Sequence, residues 1–262
     1  MTNLSFTKAT KTQSRLRLAL VGPSGSGKTY TALTIAQHLG KRVAVIDTER
    51  GSASKYADIF TFDVLNLDTF SPLTYVDAIK AAESAGYDVL VIDSLSHAWM
   101  GKEGALEQVD NAAKRSSSHN SYTAWRDVTP MHNALIDAML QSKCHIIGTM
   151  RSKTEYVIEE DERGKKVPRK VGMAPVQRDG LEYEFDVVGD MDLDNNFLVS
   201  KTRCPALTGK VIKKPGKPLA DTLSAWLSDG SKPQEPELRV DIPAPEAASV
   251  KSSNTTPAPA PA

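Results

Sequence analysis

The sequence has few of the features that mark secreted or membrane-spanning proteins. Only two of its 262 residues are cysteines, Cys144 and Cys204, and their separation fits neither a disulfide framework nor metal-ligand spacing. No apolar run approaches the roughly 20 residues that a membrane-spanning helix needs. The polar first residues also lack the apolar core of a signal peptide. We therefore expect a cytoplasmic protein with no membrane partner.

The chain also lacks net charge, because 32 Lys and Arg residues balance 32 Asp and Glu residues. This balance excludes a polybasic protein that coats nucleic acid by bulk charge. It does not exclude a local basic patch, since net charge averages over the whole surface. The hydrophobic content of 40% is ordinary for a globular protein.

Composition divides the chain into three parts. Residues 1–14 are polar, and we predict that they form a flexible N-terminal arm. Residues 229–262 are rich in Pro and Ala and cannot bury enough apolar surface to offset the entropy lost on ordering, so we predict a disordered tail. The folded domain is predicted to span residues 15–228.

Short apolar runs alternate with helical patterns inside this domain. The runs are β-branched and almost continuously apolar, as in parallel strands that are covered on both faces. The pattern predicts an α/β fold with a mainly parallel sheet flanked by helices. Alternating segments after Arg151 predict antiparallel hairpins added at the C-terminal side. The predicted strands are 15–21, 42–47, 88–93 and 144–149, and the predicted helices are 28–39, 72–85 and 121–141.

The most specific motif is GPSGSGKT at Gly22–Thr29, which fits G-x-x-x-x-G-K-[ST] at every position. It follows a predicted strand and opens a predicted helix, so backbone N–H groups and the helix N-terminus would face phosphate oxygens. Lys28 is predicted to reach the β- and γ-phosphates of ATP, and the Thr29 hydroxyl to ligate Mg²⁺. The predicted nucleotide-binding residues are Gly22, Pro23, Ser24, Gly25, Ser26, Gly27, Lys28, Thr29 and Tyr30.

Two carboxylates follow other predicted strands. Asp93 ends the run DVLVID, where a carboxylate can hold the Mg²⁺ shell beyond the carboxyl end of a parallel strand. Glu49 lies in VAVIDTERG, where it could polarise the water that attacks the γ-phosphate. The alternative for each is a carboxylate that merely ends a strand.

Three segments, VIDTE, VIDS and IIGTMRSK, together resemble the RecA-type core of recombinases. In that family a glutamate after the second strand activates water, and Glu49 matches its position. The family's polar switch residue, usually glutamine, corresponds here to Thr149, two residues before Arg151, which departs from the pattern. The segment LVSKTRCP is similar to the one that brings two basic residues to a neighbouring subunit's nucleotide. Lys201 and Arg203 match those two, with a solvated strand face as the alternative.

Residues 15–228 resemble, more closely, phage-encoded RecA-like ATPases of the single-strand annealing type. The resemblance rests on YTAWRDVTPMHNALIDAMLQSKCHIIGTMRSKTEY and VPRKVGMAPVQRDGLEYEFD. It implies a RecA-like P-loop NTPase core and a Mg²⁺-dependent ATPase that is weak alone and stimulated by DNA. It further implies single-stranded DNA binding and strand annealing in phage recombination or replication, in the host cytoplasm. The implied partners are other copies of the chain, in a ring or filament, and single-strand-binding protein.

Two other functions fit the same motifs. One is a replication accessory ATPase, such as a helicase loader, in which ATP controls a protein partner. The other is a small-molecule kinase built on the same phosphate loop.

A basic segment between Arg163 and Arg178 has six basic residues and no acidic one, and an acidic stretch precedes it. The two blocks could pair as the arms of a hairpin. Alternatively the basic block is a loop that follows a DNA backbone, which its Gly and Pro residues favour. The predicted DNA contacts are Arg163, Lys165, Lys166, Arg169, Lys170 and Arg178.

The N-terminal arm contains Phe6 and Ala9 in a pattern that resembles the F-x-x-A handle of eukaryotic recombinases. That handle docks onto the next protomer, and a contact of this head-to-tail kind generates rings or filaments. A merely disordered arm is the alternative.

Overall fold

A computed structural model describes residues 14–116, 120–160 and 166–229, all within the unit Met1–Ser231; for 154–160 and 166–172 only the backbone is described. The described strands are β1 (Arg17–Gly22), β2 (Val43–Asp47), β3 (Asp63–Asn66), β4 (Val89–Asp93), β5 (His145–Glu160), β6 (Lys166–Pro175), β7 (Val187–Met191), β8 (Asn196–Thr202) and β9 (Val211–Lys213). The described α-helices are α1 (Lys28–Leu39), α2 (Pro72–Ser84), α3 (Ser96–Met100), α4 (Ala105–Arg115), α5 (Ser121–Gln141) and α6 (Lys217–Ser228).

These strands form one mixed sheet in the order β3-β2-β4-β5-β1-β7-β8-β9, with β6 paired to β5. The pairs among β1, β2, β3, β4, β5 and β7 are parallel, whereas β6, β8 and β9 add antiparallel pairs. The predicted α/β fold with a mainly parallel sheet and added hairpins is therefore confirmed. The order places β5 between β1 and β4, so the carboxyl ends of β1 and β4 flank the middle of β5, near Thr149 and Arg151.

The central strands are buried on both faces, which explains their continuous apolar sequences. Every residue of β1, β2 and β4 is buried. Along β1, Leu18 and Leu20 pack into the core beneath α1 and α6, while Ala19 and Val21 pack into the core beneath α2 and α5. Full burial of each leucine contributes about 1.5–3 kcal/mol. The sheet is thus a stable platform for the loops at its edge.

Two of the helices, α2 and α5, begin at residues suited to a helix start. Pro72 occupies the first turn of α2, where its missing N–H costs no hydrogen bond. The Asn120 side chain accepts the Tyr122 N–H at 2.9 Å and caps α5. The predicted helices 28–39, 72–85 and 121–141 correspond to α1, α2 and α5. None of the helices in the described part of the chain combines the length and apolar character that crossing a bilayer needs.

The prediction of an irregular basic loop is wrong for residues 166–175, because these residues form β6 and pair with β5 as a hairpin. Among the described strands β6 has one partner, so its other edge is free, and an edge strand tolerates proline. Pro168 lies opposite Ile158, and a register shift occurs near Gly172. The Pro and Gly residues therefore mark an irregular edge strand.

Candidate functional site

A cleft of about 500 Å³ opens at the carboxyl ends of β1 and β4, beside Arg151 and Ser152 in the middle of β5. It brings together the phosphate-loop motif, Glu49 and Asp93, which are separate in the sequence. Side chains to which the sequence motifs gave no role also line it. The lining residues are Ser24, Gly25, Gly27, Lys28, Thr29, Tyr30, Glu49, Ser52, Tyr56, Asp93, Arg151 and Ser152.

The phosphate loop turns tightly between β1 and α1. Gly25 and Gly27 have φ of 82° and 80°, in the left-handed region that favours glycine. A Cβ atom on Gly27 would also lie 2.8 Å from the Asn195 side-chain nitrogen. That Asn195 amide donates to the Ser26 carbonyl at 3.0 Å and so holds the loop from outside. No sequence signal pointed to Asn195, because the contact depends on where the β7–β8 turn packs.

Lys28 lies at the first position of α1, with its ammonium group beside the loop. Its Nζ donates to the Pro23 carbonyl at 2.8 Å. Burial lowers the pKa of Lys28; the carboxylates of Asp93 and Glu49 oppose this shift, and the Arg151 charge adds to it. The ammonium is therefore a partly desolvated cation aimed at the cleft, and a close anion would stabilise it.

Asp93 ends β4 and is almost fully buried. Its Oδ2 accepts the Thr29 hydroxyl at 2.6 Å, and its Oδ1 accepts the Thr149 hydroxyl at 2.5 Å. Burial raises the pKa of Asp93, whereas the two hydroxyl hydrogen bonds oppose that shift. Thr149 is buried and directed at Asp93, so it orients this carboxylate.

We expect Asp93→Asn to raise the melting temperature of the protein by a few degrees at neutral pH. The raised pKa means that the charged carboxylate disfavours folding, and this cost is absent at pH values below the ordinary Asp pKa. The melting temperature of the variant should exceed that of wild type by an amount that grows as pH rises from below 4, through the folded-state pKa of Asp93, to neutrality. Thermal melts across this pH range measure it, and a lower melting temperature at neutral pH would contradict the expectation.

Glu49 is positioned by the buried Asp47. The Asp47 carboxylate accepts the Glu49 N–H at 2.6 Å and the Ala53 N–H at 2.8 Å, which fixes the turn after β2. The Glu49 carboxylate faces the cleft, where Oε1 accepts Nη2 of Arg151 at 2.8 Å and Nε at 3.1 Å. Asp47 therefore has a structural task, whereas the Glu49 carboxylate lies in the cleft, paired with Arg151.

An aromatic cluster lies at the outer end of the cleft. Tyr30 packs edge-on against Tyr56 and Phe60, with ring centroids 5.8 Å and 5.2 Å apart. Tyr30 is 46% exposed, so much of its surface is open to the cleft and solvent. No sequence motif pointed to Tyr56. It lies in a short 3₁₀ helix (Ala53–Tyr56) that begins at the turn fixed by Asp47, and this turn places it beside the cleft. The cluster offers aromatic surface to a planar group.

A family model described as an AAA domain matches residues 14–222. The chain belongs to the AAA domain family. A search of the curated proteins finds no match. The family and the cleft at the phosphate loop both indicate nucleotide binding. This AAA domain is a nucleotide-binding ATPase.

Lys201 and Arg203 of the AAA domain lie away from the phosphate loop. The Arg203 N–H donates to the Asp186 carbonyl, and the Asp186 N–H donates to the Arg17 carbonyl, at the start of β1. Arg203 also forms a salt bridge with Asp186 at 3.1 Å. The prediction that Lys201 and Arg203 reach a neighbouring subunit's nucleotide stays a prediction. The Lys201 ammonium donates to the carbonyl oxygens of Glu182, Tyr183 and Phe185.

The predicted DNA contacts fall partly outside the described residues of the AAA domain. Arg163 and Lys165 lie outside them, as do Phe6 and Ala9 of the predicted oligomerisation handle. Arg178 follows the hairpin, and its guanidinium donates to the Asn133 side chain at 3.2 Å. For Lys166, Arg169 and Lys170, the structure describes the backbone, which places them on β6.

Proposed function

We propose that this AAA domain is a Mg²⁺-dependent ATPase that binds single-stranded DNA and promotes strand annealing in phage recombination or replication. The observation that supports ATP hydrolysis is the convergence of Lys28, Thr29, Asp93 and Glu49 in one cleft. A phosphate-binding cation, a metal-binding pair and a water-polarising carboxylate are the parts that phosphoryl transfer to water requires.

The cleft fits a nucleoside triphosphate and its metal ion. The left-handed glycines at 25 and 27 form a loop of the kind that directs N–H groups at phosphate oxygens. The exposed face of Tyr30, beside Tyr56, suits stacking with the base. Thr29 and Asp93, already paired, supply the oxygen ligands that would hold Mg²⁺. When bound, Mg²⁺ supplies charge that neutralises phosphate oxygens.

Glu49 is proposed to orient the attacking water and accept its proton. Its carboxylate lines the same cleft as Lys28. The hydrogen bond from the Glu49 backbone N–H to the Asp47 carboxylate fixes the point at which the Glu49 side chain enters the cleft. The charge of Lys28 stabilises negative charge on the phosphate oxygens while the bond to the leaving group breaks. These assignments need no group beyond the nucleotide, Mg²⁺ and water.

The hairpin of β5 and β6 is proposed to bind the DNA backbone. It extends from the part of β5 that holds Arg151 and Ser152, both of which line the cleft. In the register, Lys166 lies opposite Glu160, whereas Arg169 lies opposite Val157 and Lys170 opposite Tyr156, so no acidic residue stands directly across from these last two. At Arg169 and Lys170 this register supports a basic surface that is available to phosphate groups.

We expect a variant with Lys165, Lys166, Arg169 and Lys170 changed to Gln to bind single-stranded DNA more weakly. The slope of log affinity against log salt should flatten by about 0.7 for each phosphate that the variant no longer neutralises. A salt titration with a labelled oligonucleotide measures both effects. The matched control changes exposed lysines elsewhere on the domain, and an equal loss of binding in it would contradict the assignment. The control lysines are Lys41, Lys80, Lys143 and Lys210.

Annealing itself is tested with complementary labelled strands, with and without ATP and single-strand-binding protein. Wild type should pair the strands, and the four-residue variant should not. If annealing is absent in every condition while hydrolysis persists, a helicase loader becomes the better proposal. Assembly into a ring or filament, with Lys201 and Arg203 at a subunit interface, belongs to the same proposal.

A further inference from the structure

Asn195 is a residue outside the cleft lining whose side chain holds the phosphate loop. It lies in the turn after β7, and β7 runs parallel to β1, so this turn lies beside the loop that follows β1. The Asn195 side-chain amide donates to the Ser26 carbonyl at 3.0 Å. A Cβ atom on Gly27 would lie 2.8 Å from the nitrogen of that amide, so the approach requires a residue without a side chain. The contact therefore depends on a glycine of the motif.

The turn that carries Asn195 is itself held by backbone hydrogen bonds. Asn195 has a φ of 60°, in the left-handed region that asparagine adopts more readily than most residues. Its N–H donates to the Asp192 carbonyl at 3.2 Å, and its carbonyl accepts the Lys214 N–H at 2.9 Å. The Asp192 carboxylate also accepts the N–H groups of Asp194 and Asn196. These bonds fix the position from which the Asn195 amide reaches the phosphate loop.

The hydrogen bond to Ser26 sets the direction of the next backbone N–H group. The Ser26 carbonyl and the Gly27 N–H belong to one planar trans peptide, so they point in opposite directions. Because the carbonyl points at Asn195, the Gly27 N–H points away from Asn195, and Gly27 lines the cleft. Among the residues that the structure describes, no group accepts this N–H. An N–H group without a partner beside a cleft is suited to an anion such as a phosphate oxygen.

We propose that Asn195 is a positioning residue that aims the Gly27 N–H at a phosphate oxygen of the bound nucleotide. The inference rests on the proposed ATP site and extends it to a residue outside both the motif and the cleft lining. Without the amide, the Ser26–Gly27 peptide can rotate, because glycine accepts many backbone conformations. The nucleotide must then order this peptide as it binds, and the entropy lost in ordering weakens its affinity.

Calorimetry with ADP and with AMP-PNP, each with Mg²⁺, tests this role. Asn195→Gly leaves the left-handed backbone accessible and removes the amide. It should weaken the binding of both nucleotides about 2- to 10-fold, the contribution of one hydrogen bond. Unchanged affinities in this variant would overturn the inference, whereas a wild type that binds neither nucleotide would refute the ATP site itself.

Asn196→Ala is the matched control for Asn195→Gly. It removes another side-chain amide from the same turn, one that donates to the Asp192 carboxylate at 2.7 Å and makes no contact with the phosphate loop. Both nucleotide affinities should stay at the wild-type value in this control. If it weakens binding as much as Asn195→Gly does, a loosened turn explains the loss and the proposed role of Asn195 is wrong.

Nuclear magnetic resonance observes the Gly27 N–H directly. Labelling serine carbonyls with ¹³C and glycine nitrogens with ¹⁵N selects Ser–Gly peptides, which in this sequence are Ser24–Gly25 and Ser26–Gly27. In wild type the Gly27 signal should be a single peak that shifts when Mg²⁺-ADP is added. In Asn195→Gly this signal should already be displaced or broadened without nucleotide, while the Gly25 signal stays in place. A Gly27 signal that is identical in the two proteins would contradict the proposed positioning, even where affinities differ.

Discussion

Glu49→Gln is expected to lower kcat for ATP hydrolysis by about 10²- to 10⁴-fold, the usual contribution of a general base. Glutamine keeps the shape of the side chain and the backbone hydrogen bond to Asp47. Its amide cannot accept a proton from water, so the substitution removes chemistry and leaves the cleft intact. Nucleotide binding should therefore survive in this variant.

Phosphate release and nucleotide binding, measured on the same preparation, check this result. Glu107→Gln is the matched control, because Glu107 is an exposed glutamate on α4 whose carboxylate accepts the Glu103 N–H. The control should hydrolyse ATP at the wild-type rate. Residual hydrolysis by Glu49→Gln within a few-fold of wild type would mean that Glu49 merely ends a strand.

Lys28→Met is expected to weaken ATP binding by about 100-fold or more, because the variant cannot form the charge-assisted hydrogen bonds to two phosphates. The same variant should be no less stable than wild type. Burial lowers the pKa of Lys28, so its charged form disfavours folding at neutral pH. That cost is relieved as pH rises through the lowered pKa towards the ordinary value.

Calorimetry and thermal melts measure the two effects of Lys28→Met. The melting temperature of Lys28→Met should equal or exceed that of wild type at neutral pH. Any difference between the two melting temperatures should become smaller in alkaline solution. Lys41→Met, an exposed lysine beyond the other end of α1, should leave ATP affinity unchanged. Retained ATP affinity in Lys28→Met would contradict the assignment of the phosphate loop as the ATP site.

The parts of the site that depend on strand ends could be predicted from the sequence. Apolar runs form β1, β2 and β4 and stop at Gly22, Asp47 and Asp93, and the carboxyl ends of parallel strands meet at one edge. Asp93 was found in this way, the phosphate loop by its motif, and Glu49 by its place after a strand together with the resemblance to the RecA-type core. Helices α1, α2 and α5 could be predicted because each lies between two of the predicted strands.

The parts that depend on strand order could not be predicted. Arg151 reaches the cleft because β5 lies between β1 and β4, and no local pattern encodes that order. The contact of Asn195 with the phosphate loop and the hydrogen bond from Thr149 to Asp93 likewise join distant segments. For the basic segment the hairpin was one of two alternatives, and Pro168 favoured the loop, whereas a free sheet edge accommodates proline.

Phosphate release from Mg²⁺-ATP, with and without single-stranded DNA, is the decisive measurement for the proposed DNA-dependent ATPase. Wild type should release phosphate, and more of it when DNA is added, whereas Lys28→Met and Glu49→Gln should release at most about one hundredth as much. The four-residue hairpin variant should keep its basal release and lose the increase. Transfer of phosphate to an acceptor other than water, or release that DNA does not change, would contradict the proposed function.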